Sequence, residues 1–403
     1  MITPNKDFRL NPSRALYVTG ELNDDIVARL TPKILALQSQ NRDPICVYIN
    51  SPGGSPASTE ALLNLLRLSD QDSTEPCRII TAVTVQAASA AADLLASGDY
   101  AIAFPKSKIL HHGVRQLSGR ESTFESTARL NEALRISNSI YAMRLAQRSE
   151  DRFTFRFYSA RDEFAELRKR KNEPALGDYE CFVEVVKEKL SPDAGKIFDK
   201  ALKRAERYKA LFASAASSSD LMSKAETTQQ VQALIIKAIV DFEVSSANSA
   251  SPTDFRFGGM RQLVDDFYIL NEYLTGNTDQ RLERWCTTFG RLALTREQEA
   301  EIDGITDETE RSKKLVEINK PILQPMLAFF IAMCHALQEG ENELSATDAY
   351  WLGLVDEVVG EELWNLRLLY EFEEDEEEKA ESDGKENTET PVPESGTEVP
   401  AGT

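Results

Sequence analysis

ICVYINSPGGS, residues 45–55, sets the frame for the first third of the chain. Ile45 to Ile49 form a continuous apolar run, as expected of a strand covered on both faces rather than one with a wet side. The two glycines that follow let the backbone turn sharply and leave its N–H groups exposed. A helix over 57–68 is expected next, with leucines at 62, 63, 65, 66 and 68. Upstream, Ala15 to Thr19 reads as a short strand ended by Gly20, and Asn23 can cap a helix entering DDIVARL. Thr31-Pro32 predicts a restart, with Pro32 at a first helical position. Downstream, strands are expected over 78–85, 101–104 and 109–111, and helices over 87–96 and from 122 to about 147. Strands alternating with helices of this length imply crossover connections and largely parallel pairing, hence an α/β domain.

From Arg152 to Leu337 the strand signals vanish. Ser191-Pro192-Asp193 is a helix start, with a cap, a proline at the first position and an acid in the first turn. Thr295 with Gln298 makes a capping box. Apolar residues recur at helical spacing in 220–244 and 260–274. Strand character returns near Leu344, where LSATDAYWLGLVDEVVG reads as helix, turn and short strand. The simplest organisation is one α/β domain in two pieces, 1–150 and 339–369, separated by an all-helical insertion over 151–338 and followed by an acidic tail over 370–403.

Composition narrows the function classes. No apolar segment follows a basic start at the N-terminus, and the longest apolar run, Met326 to Leu337, is shorter than the roughly 20 residues that span a bilayer, so no membrane segment is expected. Five scattered cysteines without a CxxC pair suggest reduced thiols and a cytoplasmic protein. Three histidines with no Cys/His cluster give no expectation of a metal, and no cofactor motif is present. The net charge is −20, but residues 371–403 hold 13 acids against two lysines. That tail is nearly free of large apolar residues and cannot offset its own ordering entropy, so disorder is expected there. Without clustered Lys/Arg, nucleic acid is not an expected partner.

Three short stretches carry chemistry. The SPGGS turn, Ser51 to Ser55, presents backbone N–H groups that can face a developing oxyanion, bind a phosphate, or merely close a turn. In QAASAAADLLASG, residues 86–98, Ser89 stands at a helix start among small residues, near unpaired N–H groups and the positive end of the helix dipole. That stretch can equally serve close packing. His111 and His112 end a strand, and because side chains alternate, only one of them can face a common site. A serine nucleophile needs such a base within hydrogen-bond reach.

In their order along the chain these stretches resemble the proteolytic subunit of the Clp protease family. YINSPGG stands at 48–54, VQAASAA at 85–91 matches GxAASMG, a histidine closes a strand after Pro105, and LSATDAYWLGLVDEV at 344–358 matches the family's late segment. The resemblance covers roughly 14–150 and 340–360. It implies a Clp/crotonase-type α/β superhelix and a serine endopeptidase working through an acyl-enzyme. Ser89 matches the nucleophile, and Gly54 and Ala90 match the oxyanion donors. His112, seven positions after Pro105, matches the base, with His111 as the alternative. Glu341 falls where the family generally has Asp, with its neighbour Asn342 as the alternative acceptor. The resemblance also implies peptide or unfolded-protein substrates, homo-oligomeric rings and an ATP-dependent unfoldase partner. Val85 in place of glycine, Ala90-Ala91 in place of Met-Gly, and the long helical stretch depart from the family pattern. The rival reading is a catalytically inactive Clp-like scaffold whose insertion binds a partner.

Overall fold

The structure, a computed structural model, describes residues 10–68, 76–115, 123–159, 178–216, 228–247 and 296–361, with single residues between 266 and 294 and Leu363. The capping box expected at Thr295, most of 260–274 and the acidic tail lie outside the described residues.

Seven strands form one sheet: β1 (Ala15–Thr19), β2 (Ile45–Ser51), β3 (Ile79–Ala88), β4 (Tyr100–Ala103), β5 (Lys108–His112), β6 (Glu341–Ser345) and β7 (Glu357–Val358). Five of the pairings are parallel, and β5 with β6 is antiparallel. The connecting helices are α1 (Asp24–Gln40), α2 (Pro56–Leu66) and α3 (Ala90–Ala96). Asn23 and Ser55 cap α1 and α2 as side-chain acceptors.

β3 changes neighbours halfway along. Its first half pairs with β4, Ile80 to Val83 against Tyr100 to Ala103, and its last residues pair with β5, Gln86 to Ala88 against Lys108 to Leu110. This split opens the sheet where β3 meets α3 and sets β5 and β6 beside that junction. β3 therefore runs three residues beyond the expected end at 85, and α3 begins at Ala90 rather than 87. Ladder hydrogen bonds to β5 decide the boundary, overriding the helix preference of the alanines there. Val85 lies on the exposed face of this segment.

α1 also corrects an expectation. It runs unbroken through Pro32. Ile26, Leu30, Ile34 and Leu37 are buried on one face, so packing holds the two halves in line. Proline removes one backbone donor, and the Thr31 hydroxyl donates to Val27 O at 2.7 Å in the same turn.

After β5, the long helix α4 (Phe124–Ser159) passes through the expected boundary at 150/151 without a break. The described elements that follow are α5 (Asp178–Lys189), α6 (Pro192–Ala216), α7 (Thr228–Ala247), α8 (Arg296–Asp303) and α9 (Glu308–Leu337). The apolar run Met326 to Leu337 is buried at the centre of these helices. Phe153, Phe182, Phe198 and Phe329 interlock there, with ring centroids 4.4 to 5.6 Å apart. The same apolar cluster continues into the sheet, and a second, smaller cluster of Cys46, Ile80, Ala82, Tyr100 and Ile102 stands apart from it.

The late segment closes the sheet at two places. β6 pairs with β5, α10 (Ala346–Trp351) follows, and β7 pairs with β4. Arg152 on α4 fastens it: its side chain is fully buried, donates to Asp356 Oδ2 at 2.7 Å, and also reaches Leu354 O and Gly98 O.

Candidate active site

Ser89 occupies the sharp turn between β3 and α3. Its φ of 55° and ψ of −130° make it the one non-glycine residue with positive φ among the described residues. Such a conformation is strained for an L-residue and persists only where its surroundings impose it. A strained strand-to-helix turn is also how nucleophilic serines are presented on other α/β sheets. Ser89 N donates to Leu110 O at 2.8 Å, which ties the turn to β5. The side chain makes no capping bond to its own helix, so the hydroxyl is left for the pocket.

The glycine turn touches this serine. Gly53 has φ +96°, and a Cβ there would lie 2.5 Å from Ala88 O and 2.7 Å from the Ser89 Cβ. Any side chain at 53 would push the two turns apart. Gly54, at φ +148°, is pressed against the Leu22 backbone, where a Cβ would meet Leu22 O at 2.2 Å. Leu22 N donates to Gly53 O and Ser55 N to Leu22 O, each at 2.7 Å. These bonds leave the Gly54 amide outside the bridge. Ala90 supplies the first amide of α3, which has no acceptor inside its own helix.

A pocket of about 800 Å³ opens here, and Gly54, Ser89, Ala90 and His112 all line it. Ala88 pairs with Leu110, so His112 stands within a residue step or two of Ser89 on the adjacent strand, and adjacent strands lie about 4.8 Å apart. The His112 Nδ1 lies 2.7 Å from Gly113 O. A carbonyl has no proton to give, so Nδ1 donates and Nε2 is left as the basic nitrogen.

His111 points the other way. It is 2% exposed, its Nδ1 lies 4.0 Å from Asp93 Oδ1, and its Nε2 has no hydrogen-bond partner among the described residues. Burial, and then the charge of His112, push its pKa down to about 4. Asp93 on α3 lines the pocket, and burial raises it to about 7. His335 is likewise buried, its ring 6.3 Å from that of Tyr208, and is a core contact of the helices.

Glu341 and Asn342 are drawn to different partners. In the β5–β6 ladder Glu341 stands directly opposite His112. Its carboxylate pairs with Arg115 at 2.7 Å, and the Arg115 hydrogen bond and charge hold it below its ordinary value, with a smaller contribution from His112. Asn342 donates from Nδ2 to the carbonyls of Ala336, Leu337 and Glu339, so its amide closes the C-terminus of α9.

Sequence reading missed Asp93 and the arginines of the pocket wall, Arg67, Arg115, Arg144 and Arg148. Asp93 had a visible signal, a lone acid inside a helix of small and apolar residues. Arg144 and Arg148 stand four residues apart on α4, but nothing local says which face meets the pocket.

Residues 6–169 match the family model described as Clp protease. Among curated proteins the chain is 33% identical over 138 residues to the ATP-dependent Clp protease proteolytic subunit 2 of Prochlorococcus marinus, which covers 32% of this chain and 65% of that protein. It is 38% identical over 109 residues to the subunit 2 of Mycolicibacterium paratuberculosis, covering 26% of this chain and 51% of the relative. With the proteolytic subunit of Carsonella ruddii the identity is 32% over 119 residues, 29% of this chain and 58% of the relative. The chain thus spans between half and two thirds of the length of these relatives.

Proposed function

From a chain that is Clp protease-like over residues 6–169, we propose a serine endopeptidase that cleaves peptide bonds through an acyl-enzyme on Ser89. The observation that carries this reading is the strained turn that presents the Ser89 hydroxyl to the pocket lined by His112, Gly54 and Ala90. His112 Nε2 takes the serine proton as Oγ attacks the substrate carbonyl carbon. The tetrahedral oxyanion forms against the Gly54 and Ala90 amides. Collapse breaks the C–N bond, and the leaving amine takes the proton from His112. Water then enters and attacks the acyl carbon as His112 takes its proton, and that proton passes to Ser89 Oγ as the acyl C–O bond breaks and the acid product leaves. The Gly113 carbonyl fixes the imidazole tautomer, and Glu341, across the ladder from His112, is the third member of the triad in this reading.

In this reading the fold is the Clp/crotonase-type superhelix, and the described helices over 178–337 belong to an insertion within it. Substrates are peptides or unfolded protein chains. The protein works as a homo-oligomer in the cytoplasm, where the free buried thiols Cys46, Cys77, Cys286 and Cys334 stay reduced, and an ATP-dependent unfoldase supplies substrate. A second reading, a scaffold without turnover, is favoured by one observation: the Glu341 carboxylate is paired with Arg115 rather than with the imidazole.

Hydrolysis of an unfolded protein or a fluorogenic peptide separates the two. Turnover is expected, falling by several orders of magnitude in both Ser89→Ala and His112→Ala with unfolding curves little changed. Turnover surviving Ser89→Ala, or absent from the native protein, sinks the peptidase reading.

A further inference from the structure

The pocket that holds Ser89 has a second end. α3 lines it through Ser89, Asp93 and Ser97, four residues apart. At 1.5 Å per residue, Ser97 lies about 12 Å beyond the nucleophile along the helix axis. Two arginines reach this floor. Arg67, at the end of α2, donates to Ser97 O at 2.7 Å and meets Asp99 at 3.3 Å. Arg148 comes from α4.

On α4, Arg144, Arg148 and Arg152 recur at a spacing of four, which stacks them on one face. Arg144 is exposed and pairs with Glu60 at 3.3 Å. Arg152 is buried and pairs with Asp356. Arg148 lies between them, half-buried and lining the pocket. No carboxylate stands within ion-pair distance of it among the described residues. Burial, then the charges of Arg67 and Arg152, push its guanidinium below its ordinary value, but arginine keeps its charge at any physiological pH. A cation partly withdrawn from water with no acid in contact, and only the more distant charges of Asp99 and Asp151 beside it, favours an anionic guest. The pocket's own acids do not fill that role. Glu60 is engaged by Arg144, Glu21 is exposed beside the Leu22–Gly54 bridge, and Asp93 is held protonated up to about 7.

We propose that Arg148 is the specificity-determining residue of this pocket and binds the carboxylate of an acidic substrate side chain, so that cleavage follows glutamate. The inference rests on the Ser89 peptidase reading above.

Fluorogenic peptides differing only in the residue before the scissile bond, Glu, Gln or Lys, test it. The native protein is expected to show kcat/KM at least tenfold higher for Glu than for Gln, its neutral isostere. Arg148→Gln should bring that ratio to within about twofold of unity, Arg148→Lys should restore part of it, and Arg148→Glu should turn the preference toward the Lys peptide. Each ratio is measured inside one protein, so a variant with a reduced folded fraction still reports it. Equal turnover of the Glu and Gln peptides by the native protein, or a ratio unmoved in Arg148→Gln, overturns the inference. If hydrolysis in those cases is still lost in Ser89→Ala, the peptidase reading stands. No hydrolysis of any peptide overturns both.

Discussion

Asp93 and His111 face each other across 4.0 Å, and burial pushes their proton affinities in opposite directions. Asp93 titrates at about 7 when folded, against an ordinary 3.8, so between those values the folded protein holds a proton that the unfolded chain has released. Stability contributed there falls as pH rises. His111 titrates at about 4 against 6.5, so in that window the unfolded chain holds the extra proton and stability rises with pH. Between pH 4 and 6.5 the two slopes cancel, leaving a neutral pair. Asp93→Asn should therefore expose the histidine slope, a gain with pH of up to about 1.4 kcal/mol per unit from 4 to 6.5. His111→Gln should expose the opposite slope, a loss from pH 4 to 7. Urea unfolding at three pH values across that range reads both, and variant curves running parallel to the native one would contradict a neutral pair.

The β6 strand shows how an element assigns its residues. Strand alternation and the end of α9 together send the Asn342 amide to three backbone carbonyls, while its neighbour Glu341 stands across from His112. Asn342→Ala should then lower stability by about 1 to 2 kcal/mol in denaturant titration and leave turnover of the folded fraction nearly intact. A collapse of turnover with unchanged stability would instead make the amide the histidine's holder. Most elements were legible because their cues are local: Asn23 as a cap, the unbroken apolar run of Ile45 to Ile49, Pro192 opening a helix. Those that were not depend on partners distant in sequence. Alanines 87 and 88 become strand because β5 lies alongside, Pro32 stays within α1 because its apolar face is buried, and Glu341 to Ser345 pair as a strand although their residues carry little strand propensity. At the site, Ser89, His112 and the two glycines could be read from order and spacing. Asp93, Arg148 and the tight fit of Gly53 against Ser89 could not, since each acquires its meaning only from a neighbour on another element.

At the scale of the whole molecule, the larger apolar cluster joins sheet and helices, and the late segment is bound in by a buried ion pair. The side chains of Arg152 and Asp356 are 0% and 1% exposed, and Asp356 also accepts from Ala101 N. Ser191, at the start of α6, donates through its amide and hydroxyl to Asp348 of the late segment, each at 2.9 Å. The helices between α4 and β6 are thus anchored to α10, which follows β6, and the pocket is framed by α2, α3 and α4 together. All of this matters for function only if Ser89 is an activated nucleophile. A fluorophosphonate probe with mass-spectrometric mapping of the adduct asks that directly. One adduct is expected on the peptide containing Ser89, absent in Ser89→Ala and formed far more slowly in His112→Ala. No adduct on the folded protein, or one mapped to another serine, would contradict it.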